Sequence, residues 1–299
     1  MPRGWRVLDC SSMCGQISSA RGAISIEPDG KEPVLVPISD VAVLLIGHRV
    51  VFSGGALHRC LSAGVAVMLC DWRGVPEGGA FGWSDHTRVA ARRIAQAQLS
   101  EPRRKNAWKQ IIKEKLRGQA SALDDLGLRG GDFLRELRKQ VRSGDPANVE
   151  AQAAKFYWKA LGGEGFNRVP GARFGVNGML DYAYAIVRGH GIRAVLSAGL
   201  EPSLGVFHHG RSNAFCLVDD LLEVFRPAVD AQVFGLLGDG EVEFDEVKHD
   251  LVDIACGKFS VDGLTIPAVF EDFAQQFGLY IEDDVEKLVP PVWSFRNGR

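Results

Sequence analysis

Residues 86–117, HTRVAARRIAQAQLSEPRRKNAWKQIIKEKLR, decide the organisation of the chain because a helical pattern begins with them. Their apolar side chains recur at the spacing that places them on one face of a helix. These apolar positions are Val89, Ile94, Leu99, Trp108, Ile111, Ile112 and Leu116. We predict one long basic helix over residues 86–117 and a second basic helix over residues 132–142.

The residues before this stretch have short apolar runs separated by turn residues. Residues 16–27, QISSARGAISIE, alternate as a β-strand and end at Pro28-Asp29-Gly30, where proline fixes one φ and glycine permits a positive one. Residues 34–36 then predict the second strand of a hairpin. Further apolar strands are predicted at residues 41–46, 50–52 and 65–70.

The change of pattern near residue 85 predicts an α+β fold with two domains. The first is a small β-rich domain over residues 1–85, and the second is a larger, mainly α-helical domain over residues 86–299. The chain has 299 residues, 46% hydrophobic and 24% charged, which is enough apolar surface for a sizeable core. The longest apolar run, residues 41–46, is too short to cross a membrane, and the first residues lack a signal-peptide pattern. We therefore expect a cytoplasmic protein.

The near-neutral net charge of −2 conceals two opposed blocks. Residues 88–142 hold fifteen Lys or Arg against six Asp or Glu, whereas residues 219–286 hold three basic against eighteen acidic side chains. One interpretation is that the basic surface meets a polyanion, and the other is that both blocks are solvated helical faces. If the first holds, the seven Lys and Arg between Arg103 and Arg117 are candidate phosphate contacts.

A carboxylate on an apolar helix face marks the first candidate site. Asp145 and Pro146 predict a helix start, and Glu150 shares a helix face with small and apolar residues including Ala153 and Tyr157. A carboxylate on a buried face needs a cation, a hydrogen bond or a metal. The alternative is a solvated glutamate that favours the helix dipole.

The second candidate site lies in residues 205–227, where residues 215–226 predict a helix stopped by Pro227. Asp220 and Glu223 are three residues apart and face the same way, so a cation between like charges is the natural compensation. Arg226 is one candidate cation. The other is Mn²⁺ or Mg²⁺, with His208 or His209 as the nitrogen ligand. The sequence lacks the G-x-S-x-G motif of serine hydrolases and the glycine-rich motifs of nucleotide-binding sites.

Five segments in this order resemble the CRISPR-associated spacer-acquisition integrases, the Cas-one family. They are Gly144-Asp-Pro-Ala-Asn-Val-Glu150 with Ala153-Ala-Lys-Phe-Tyr-Trp158, then Arg173–Tyr184, Ser197–Leu200, Leu204–His208 and Asp219–Pro227. The resemblance implies that Glu150, His208 and Glu223 bind the metal and that Asp220 is an additional acid of the catalytic site. The doubled histidine leaves His209 as an alternative ligand. Val224 stands where the family often has proline, which leaves the acid unchanged.

The resemblance further implies a metal-dependent DNA endonuclease and integrase of CRISPR adaptation. Such an enzyme inserts short duplex DNA into the array when a 3′-hydroxyl attacks a phosphodiester at the end of a repeat. The expected partners are double-stranded DNA (prespacer and repeat), a second copy of the chain through the β-rich domain, and a Cas-two dimer. The form of residues 213–220 is similar to members from type II systems, whose effector proteins are further expected partners. The alternatives are a non-catalytic DNA-binding architectural subunit and a simple metal-dependent nuclease.

Overall fold

A computed structural model of the chain describes residues 6–72, 74, 76–83, 86–172, 174–237 and 243–293, apart from the side chain of Asp245. The chain divides into two compact units, Met1–Asp85 and His86–Arg299. The first unit is rich in β-strands and the second is helical, so the predicted α+β class is confirmed. Residue 85, the predicted boundary, and Arg173 of the second family-like segment lie outside the described residues. The dimerisation and catalytic roles expected of the two domains stay predictions.

Within the described residues, the first unit contains two four-stranded sheets, ordered β1-β5-β7-β8 and β4-β3-β2-β6. Its core consists of aliphatic side chains from both sheets, including Ile17, Ile24 and Leu44. The elements are β1 (Arg6–Cys10), β2 (Gly15–Ala20), β3 (Ala23–Pro28), β4 (Val34–Pro37), a 3₁₀ turn (Ile38–Asp40), β5 (Val41–Gly47), β6 (Val50–Phe52), α1 (Gly54–Ser62), β7 (Ala66–Cys70) and β8 (Pro76–Ala80).

The expectation of one strand over residues 16–27 is wrong, because these residues form the antiparallel pair β2 and β3. The chain reverses at Arg21-Gly22, where Gly22 has φ +71°, a conformation that favours glycine. The predicted pairing with residues 34–36 does form, as β3 against β4. The turn at Arg21-Gly22 therefore divides the alternating residues 16–27 into two strands.

The second unit is built from helices around α6, which is buried along most of its length. In this unit α6 packs against α7, α8, α9 and α10, while α3 packs against α4, α5, α7 and α8. The helices are α2 (Val89–Ala97), α3 (Glu101–Asp125), α4 (Gly131–Gln140), α5 (Val149–Gly162), α6 (Gly175–Ser197), α7 (Cys216–Leu222), α8 (Arg226–Leu237), α9 (Phe244–Ala255) and α10 (Ile266–Ile281). Among the described residues, none of these helices has the length and apolarity needed to span a bilayer.

Proline accounts for two corrections to the predicted helices. Residues 86–117 form not one helix but two, because the chain is extended at Ser100 and α3 restarts with Pro102 in its first turn. Pro227 does not stop the helix predicted over residues 215–226. That helix ends at Leu222, and Pro227 lies in the first turn of α8, where its missing N–H costs no hydrogen bond.

Candidate metal-binding and catalytic site

The side chain of Lys115 joins the two candidate sites. Its Nζ lies 2.5 Å from Oε1 of Glu150 and 2.6 Å from Oε2 of Glu223. Lys115 comes from α3, Glu150 from the first turn of α5, and Glu223 from the residue that follows α7. Three segments distant in the sequence thus place two carboxylates around one cation.

Local structure explains why Glu150 is held at this point. Asp145 accepts hydrogen bonds from the backbone N–H groups of Val149 and Glu150 at 3.0 and 2.9 Å, so it caps α5 from outside the helix. The predicted start at Asp145 is therefore too early, since α5 begins at Val149 after Asn148. Ala153 and Tyr157 on the same face are fully buried, and the partner that Glu150 was expected to need is Lys115.

Glu223 is buried and held by two cations. In addition to Lys115, the Nε of Arg226 donates to its Oε1 at 2.8 Å. Burial alone would raise the pKa of Glu223, but Arg226 and Lys115 outweigh it and lower the pKa to about 2. Burial likewise opposes the charge of Lys115, and its attraction to Glu223 and Glu150 raises its pKa. The site therefore keeps Glu223 ionised and Lys115 protonated at neutral pH.

Asp220 has different hydrogen-bonding partners from Glu223, although the two residues are only three apart in the sequence. It is completely buried, and its Oδ2 accepts hydrogen bonds from the backbone N–H groups of Val206 and Phe207 at 2.6 and 2.9 Å. Its Oδ1 lies 2.5 Å from Nδ1 of His208. Asp220 thus fixes both the loop that carries His208 and the orientation of its ring.

The hydrogen bond with Asp220 raises the pKa of His208, and the negative charges of Glu223 and Glu150 add to this effect. The side chain of Phe207 stacks on Trp108 of α3 with ring centroids 4.2 Å apart, and the His208 ring meets the edge of Trp108 at 5.8 Å. Because Nδ1 is engaged by Asp220, Nε2 is the ring nitrogen left for a ligand. A carboxylate that orients the second nitrogen is the usual companion of a metal-binding histidine.

A cavity of about 510 Å³ runs through this region of the helical unit. His208, Glu223 and Lys115 contribute to its wall, so the structure brings His208 to the same space as the carboxylate cluster. His209 lines a separate, smaller cavity, which favours His208 over His209 as the candidate ligand. The other lining residues are Gln119, Ala154, Trp158, Arg168, Pro170, Asp181, Tyr184, Ala185, Arg188, Asn213, Asp219, Leu222, Arg226 and Asp230.

A second buried acid, Asp230 of α8, lines the same cavity but has phenol partners. Tyr157 donates a hydrogen bond to its Oδ2 at 3.1 Å, and Tyr184 donates to its Oδ1. Burial raises the pKa of Asp230 to about 7, against the opposing effect of these hydrogen bonds and of Arg226. Arg226 also lies over the ring of Tyr184, 4.5 Å from its centroid, which connects Asp230 to Glu223.

Two residues of this site, Lys115 and Asp230, were missed from the sequence. Lys115 lies four residues after Ile111 and three after Ile112, both completely buried, so its place on a buried helix face was a usable signal. Asp230 was marked similarly by Val233, which lies three residues later on the same helix face and is completely buried. Lys115 was instead grouped with the phosphate contacts, which is wrong because it is 7% exposed and paired with two glutamates.

The residues fit a divalent cation in their chemistry. Glu150 and Glu223 already approach one positive charge, and two carboxylates with one imidazole suit Mn²⁺ or Mg²⁺. Among the residues that the structure describes, no three His, Cys, Asp or Glu side chains are arranged as a complete metal site. The ligand set Glu150, His208 and Glu223 therefore stays a prediction, in which Lys115 now holds the position between the carboxylates.

Solved structures share this two-part arrangement of β-rich and helical units. A casposase bound to its integration product matches with a TM-score of 0.80 and 18% identity over 98% of this chain and 96% of that one. A Cas1 protein from Thermotoga maritima matches with a TM-score of 0.77 and 14% identity, over 98% of this chain and all of that one. A Cas6-RT-Cas1–Cas2 complex matches at 0.75 and 17% identity, covering 99% of this chain and 36% of that chain. The chain therefore has the fold that these Cas1 and casposase structures share.

Sequence comparison gives the family itself. The profile of the family described as CRISPR associated protein Cas1 matches residues 12–252. A CRISPR-associated endonuclease Cas1 of Neisseria meningitidis serogroup C is 35% identical over 231 residues, 77% of this chain and 75% of the relative. A second such endonuclease, from Pyrobaculum aerophilum, is 30% identical over 80% of this chain and 85% of the relative. The chain belongs to the CRISPR-associated protein Cas1 family, as the five segments predicted.

Proposed function

We propose that this chain is a metal-dependent DNA integrase and endonuclease of CRISPR adaptation. The observation that carries the proposal is the convergence of Glu150 and Glu223 on one cation position, beside a cavity that also contains His208. The ion pairs alone would equally stabilise an architectural subunit, whereas His208 on the wall of the same cavity, oriented by Asp220, favours a catalytic site. The endonuclease names of the relatives and the integration product bound to the casposase support the same reaction class.

In the proposed reaction, the 3′-oxygen of a short duplex forms a bond to the phosphorus at the end of a repeat. The bond from that phosphorus to the old 3′-oxygen breaks, the proton of the attacking hydroxyl passes to solvent, and the leaving 3′-oxygen takes up a proton from solvent. Glu150, Glu223 and His208 would hold Mn²⁺ or Mg²⁺, which when bound neutralises charge on the phosphoryl oxygens. Water in place of the 3′-hydroxyl gives strand cleavage, which accounts for an endonuclease activity at the same site.

The residues of the chain contribute orientation and electrostatics. Asp220 keeps His208 in one ring orientation through the 2.5 Å contact at Nδ1. Arg226 donates to Glu223 from a position fixed over the Tyr184 ring, so the carboxylate remains ionised in the interior. Preorganised groups of this kind spare the reaction the cost of ordering its ligands.

Positive side chains on α3 support duplex DNA as the substrate. Burial and the neighbouring charges of Lys109, Arg138 and Lys287 lower the pKa of Lys113, against the opposing charge of Glu114, with which Arg138 is paired at 2.7 Å. The positive surface of α3 is therefore centred on Lys109 and Lys113. Such a surface contacts phosphates without reading sequence and predicts a steep loss of binding with salt. Replacing both Lys109 and Lys113 by alanine should reduce the salt slope by about 2.

The comparisons support one protein partner, and the family resemblance of the sequence implies the others. The match to a Cas6-RT-Cas1–Cas2 complex supports a Cas2 partner, and the homodimer through the β-rich unit and the type II effector contacts are proposed from the sequence alone.

The deciding experiment is strand transfer of a labelled short duplex into a supercoiled plasmid carrying the cognate CRISPR repeat. It is run with the Cas2 partner, with Mn²⁺ or EDTA, and with Glu223→Ala beside Glu136→Ala, which removes an exposed glutamate paired with Lys139. Metal-dependent joining that is lost only in Glu223→Ala supports the integrase. Cleavage without joining indicates a plain nuclease, and duplex binding without either reaction indicates an architectural subunit.

A further inference from the structure

We propose that Lys115 is a resident counter-ion that holds the cation position between Glu150 and Glu223 until a divalent metal displaces it. In this role Lys115 sets the affinity of the site for metal and stabilises the metal-free protein. The inference rests on the proposed function, because it takes the two glutamates as metal ligands.

Distances make the ammonium and the metal mutually exclusive at this point. Lys115 Nζ is 2.5 and 2.6 Å from the two carboxylate oxygens, whereas Mg²⁺ takes oxygen ligands at about 2.1 Å. A metal bound by both Glu150 and Glu223 would therefore occupy nearly the same volume as Nζ. Two positive charges cannot share that volume, so the ammonium must leave when the metal arrives.

Lysine and arginine differ in their freedom to make this move. Arg226 is planar, and its contacts with Glu223 and the Tyr184 ring fix it on both sides. Lys115 has a flexible four-carbon stem and opens onto the 510 Å³ cavity, which gives its ammonium space to move away from the two glutamates. Metal binding can thus exchange Lys115 for a divalent ion while Arg226 remains on Glu223.

Charge explains why the chain keeps a lysine here. Without metal, the two glutamates are matched by Lys115 and Arg226, and each of the ion pairs lies in or near the interior. Removing Lys115 leaves two carboxylates with one cation, which destabilises the fold but creates a stronger site for a cation from solution. Removing Lys115 should therefore lower the stability of the metal-free protein and raise its affinity for Mn²⁺. Removing a lysine with only a structural role would lower the stability without raising the affinity.

The test compares Mn²⁺ binding and thermal unfolding of the full-length wild type, Lys115→Met, Glu223→Gln and Lys139→Met. Lys139→Met is the matched control, since it removes an exposed lysine 2.6 Å from Glu136. Mn²⁺ binding is measured from the paramagnetic resonance signal of the free ion. We expect Lys115→Met to bind Mn²⁺ at least about tenfold more tightly than wild type. Its metal-free Tm should fall by about 5 °C and recover on adding Mn²⁺.

A second measurement uses the wild type alone, so that it decides the question if Lys115→Met fails to fold. The Nζ amine of Lys115 is labelled with an acetylating reagent at mildly alkaline pH, in EDTA and in Mn²⁺, and the product is quantified by mass spectrometry. We expect Mn²⁺ to increase acetylation of Lys115 and to leave that of Lys139 unchanged. No increase, under conditions where Mn²⁺ is bound, would overturn the inference.

The outcomes separate this inference from the proposed function. Mn²⁺ binding that is lost in Glu223→Gln but equal or weaker in Lys115→Met overturns the role of Lys115 and leaves the metal site intact. Mn²⁺ binding by Lys115→Met but not by the wild type also supports the counter-ion role of Lys115. It would mean that the lysine excludes Mn²⁺ from the wild-type site at the concentrations used. Absence of binding in both proteins removes the metal from the proposed function, and the inference falls with it.

Discussion

Glu223 and Asp230 are buried carboxylates on the wall of the same cavity, yet the structure shifts their pKa values in opposite directions. Glu223 faces Lys115 and Arg226, and its pKa is lowered to about 2. Asp230 faces the hydroxyls of Tyr157 and Tyr184, and its pKa is raised to about 7. The difference lies in the partners, because cations favour the charged form whereas phenols compensate only part of the cost of burial.

Glu223 and Asp230 therefore have different roles in the site. A metal ligand has to be deprotonated, and Glu223 meets that condition over the whole physiological range. Asp230 is close to half protonated at neutral pH and serves as a hydrogen-bond acceptor that anchors two tyrosines of the helical unit. Burial alone would not distinguish them, so the ion pairs are the feature that marks the candidate catalytic carboxylate.

The largest expected effect comes from exchanging each acid for its amide. Glu223→Gln removes the charge that a metal would need and should reduce strand transfer on the order of 10³-fold. Asp230→Asn keeps one of the two acceptor oxygens that the tyrosines use and should reduce strand transfer by no more than about tenfold, at the low end of effects from groups that orient metal ligands. Initial rates of joining with the Cas2 partner measure both.

Equal losses in the two variants would contradict the contrast. Duplex binding at low salt is the control for folding, because neither amide changes the positive surface of α3. Glu136→Gln, in an exposed pair, should leave the rate unchanged.

Asp220 is a third buried acid, and its expected effect lies between the other two. It acts on the reaction only through His208, so Asp220→Asn should reduce strand transfer by about 10- to 100-fold. The same change removes the hydrogen bond that most raises the pKa of His208, so that pKa should fall. The chemical shifts of the His208 ring, followed by NMR as a function of pH, measure the second effect. A variant that loses activity while the His208 pKa is unchanged would show that Asp220 does not act through His208.

The site was predictable from the sequence where a charged residue broke an apolar helix face. Glu150 was found in this way, and the same argument applied to α3 would have found Lys115 beside Ile111 and Ile112. The spacing of Asp220 and Glu223 was less informative. It predicted a shared environment, but α7 ends at Leu222 and the chain turns, so Asp220 meets the loop of His208 while Glu223 meets Lys115.

Family resemblance contributed what spacing could not, namely that two segments 70 residues apart meet. For the fold, the helical period was predictable, but the break at Ser100 was missed although Pro102 marked it. Contacts between distant helices, such as α3 with α5 and α8, depend on packing that no local pattern encodes. The cation shared by Glu150 and Glu223 is a product of that packing.

A smaller effect concerns stability and pH, and it follows from the state of Asp230. The folded protein keeps a proton on Asp230 up to about pH 7, whereas the unfolded chain releases it near its ordinary pKa of 3.8. The free energy of unfolding should therefore fall as pH rises from about 4 to about 7, and Asp230→Asn should lack this contribution. Relative to wild type, Asp230→Asn should gain ~2 kcal/mol between pH 5 and pH 7. Urea unfolding at the two pH values measures this difference, and Asp132→Asn, at the exposed end of α4, is the control.

The smallest expected effect tests whether the two phenols act through Asp230. Tyr157→Phe removes one hydrogen bond to its carboxylate and should lower the free energy of unfolding by about 1 kcal/mol at pH 7. Because that bond also lowers the pKa of Asp230, the same change should move the pH-dependent loss of stability to higher pH. In the Asp230→Asn background the hydroxyl no longer faces a titrating acid, so the shift with pH should vanish even if part of the stability cost remains. If the pH range of the stability loss still shifts in the double variant, a group other than Asp230 titrates in the interior. The comparison with Glu223 would then apply to that group and not to Asp230.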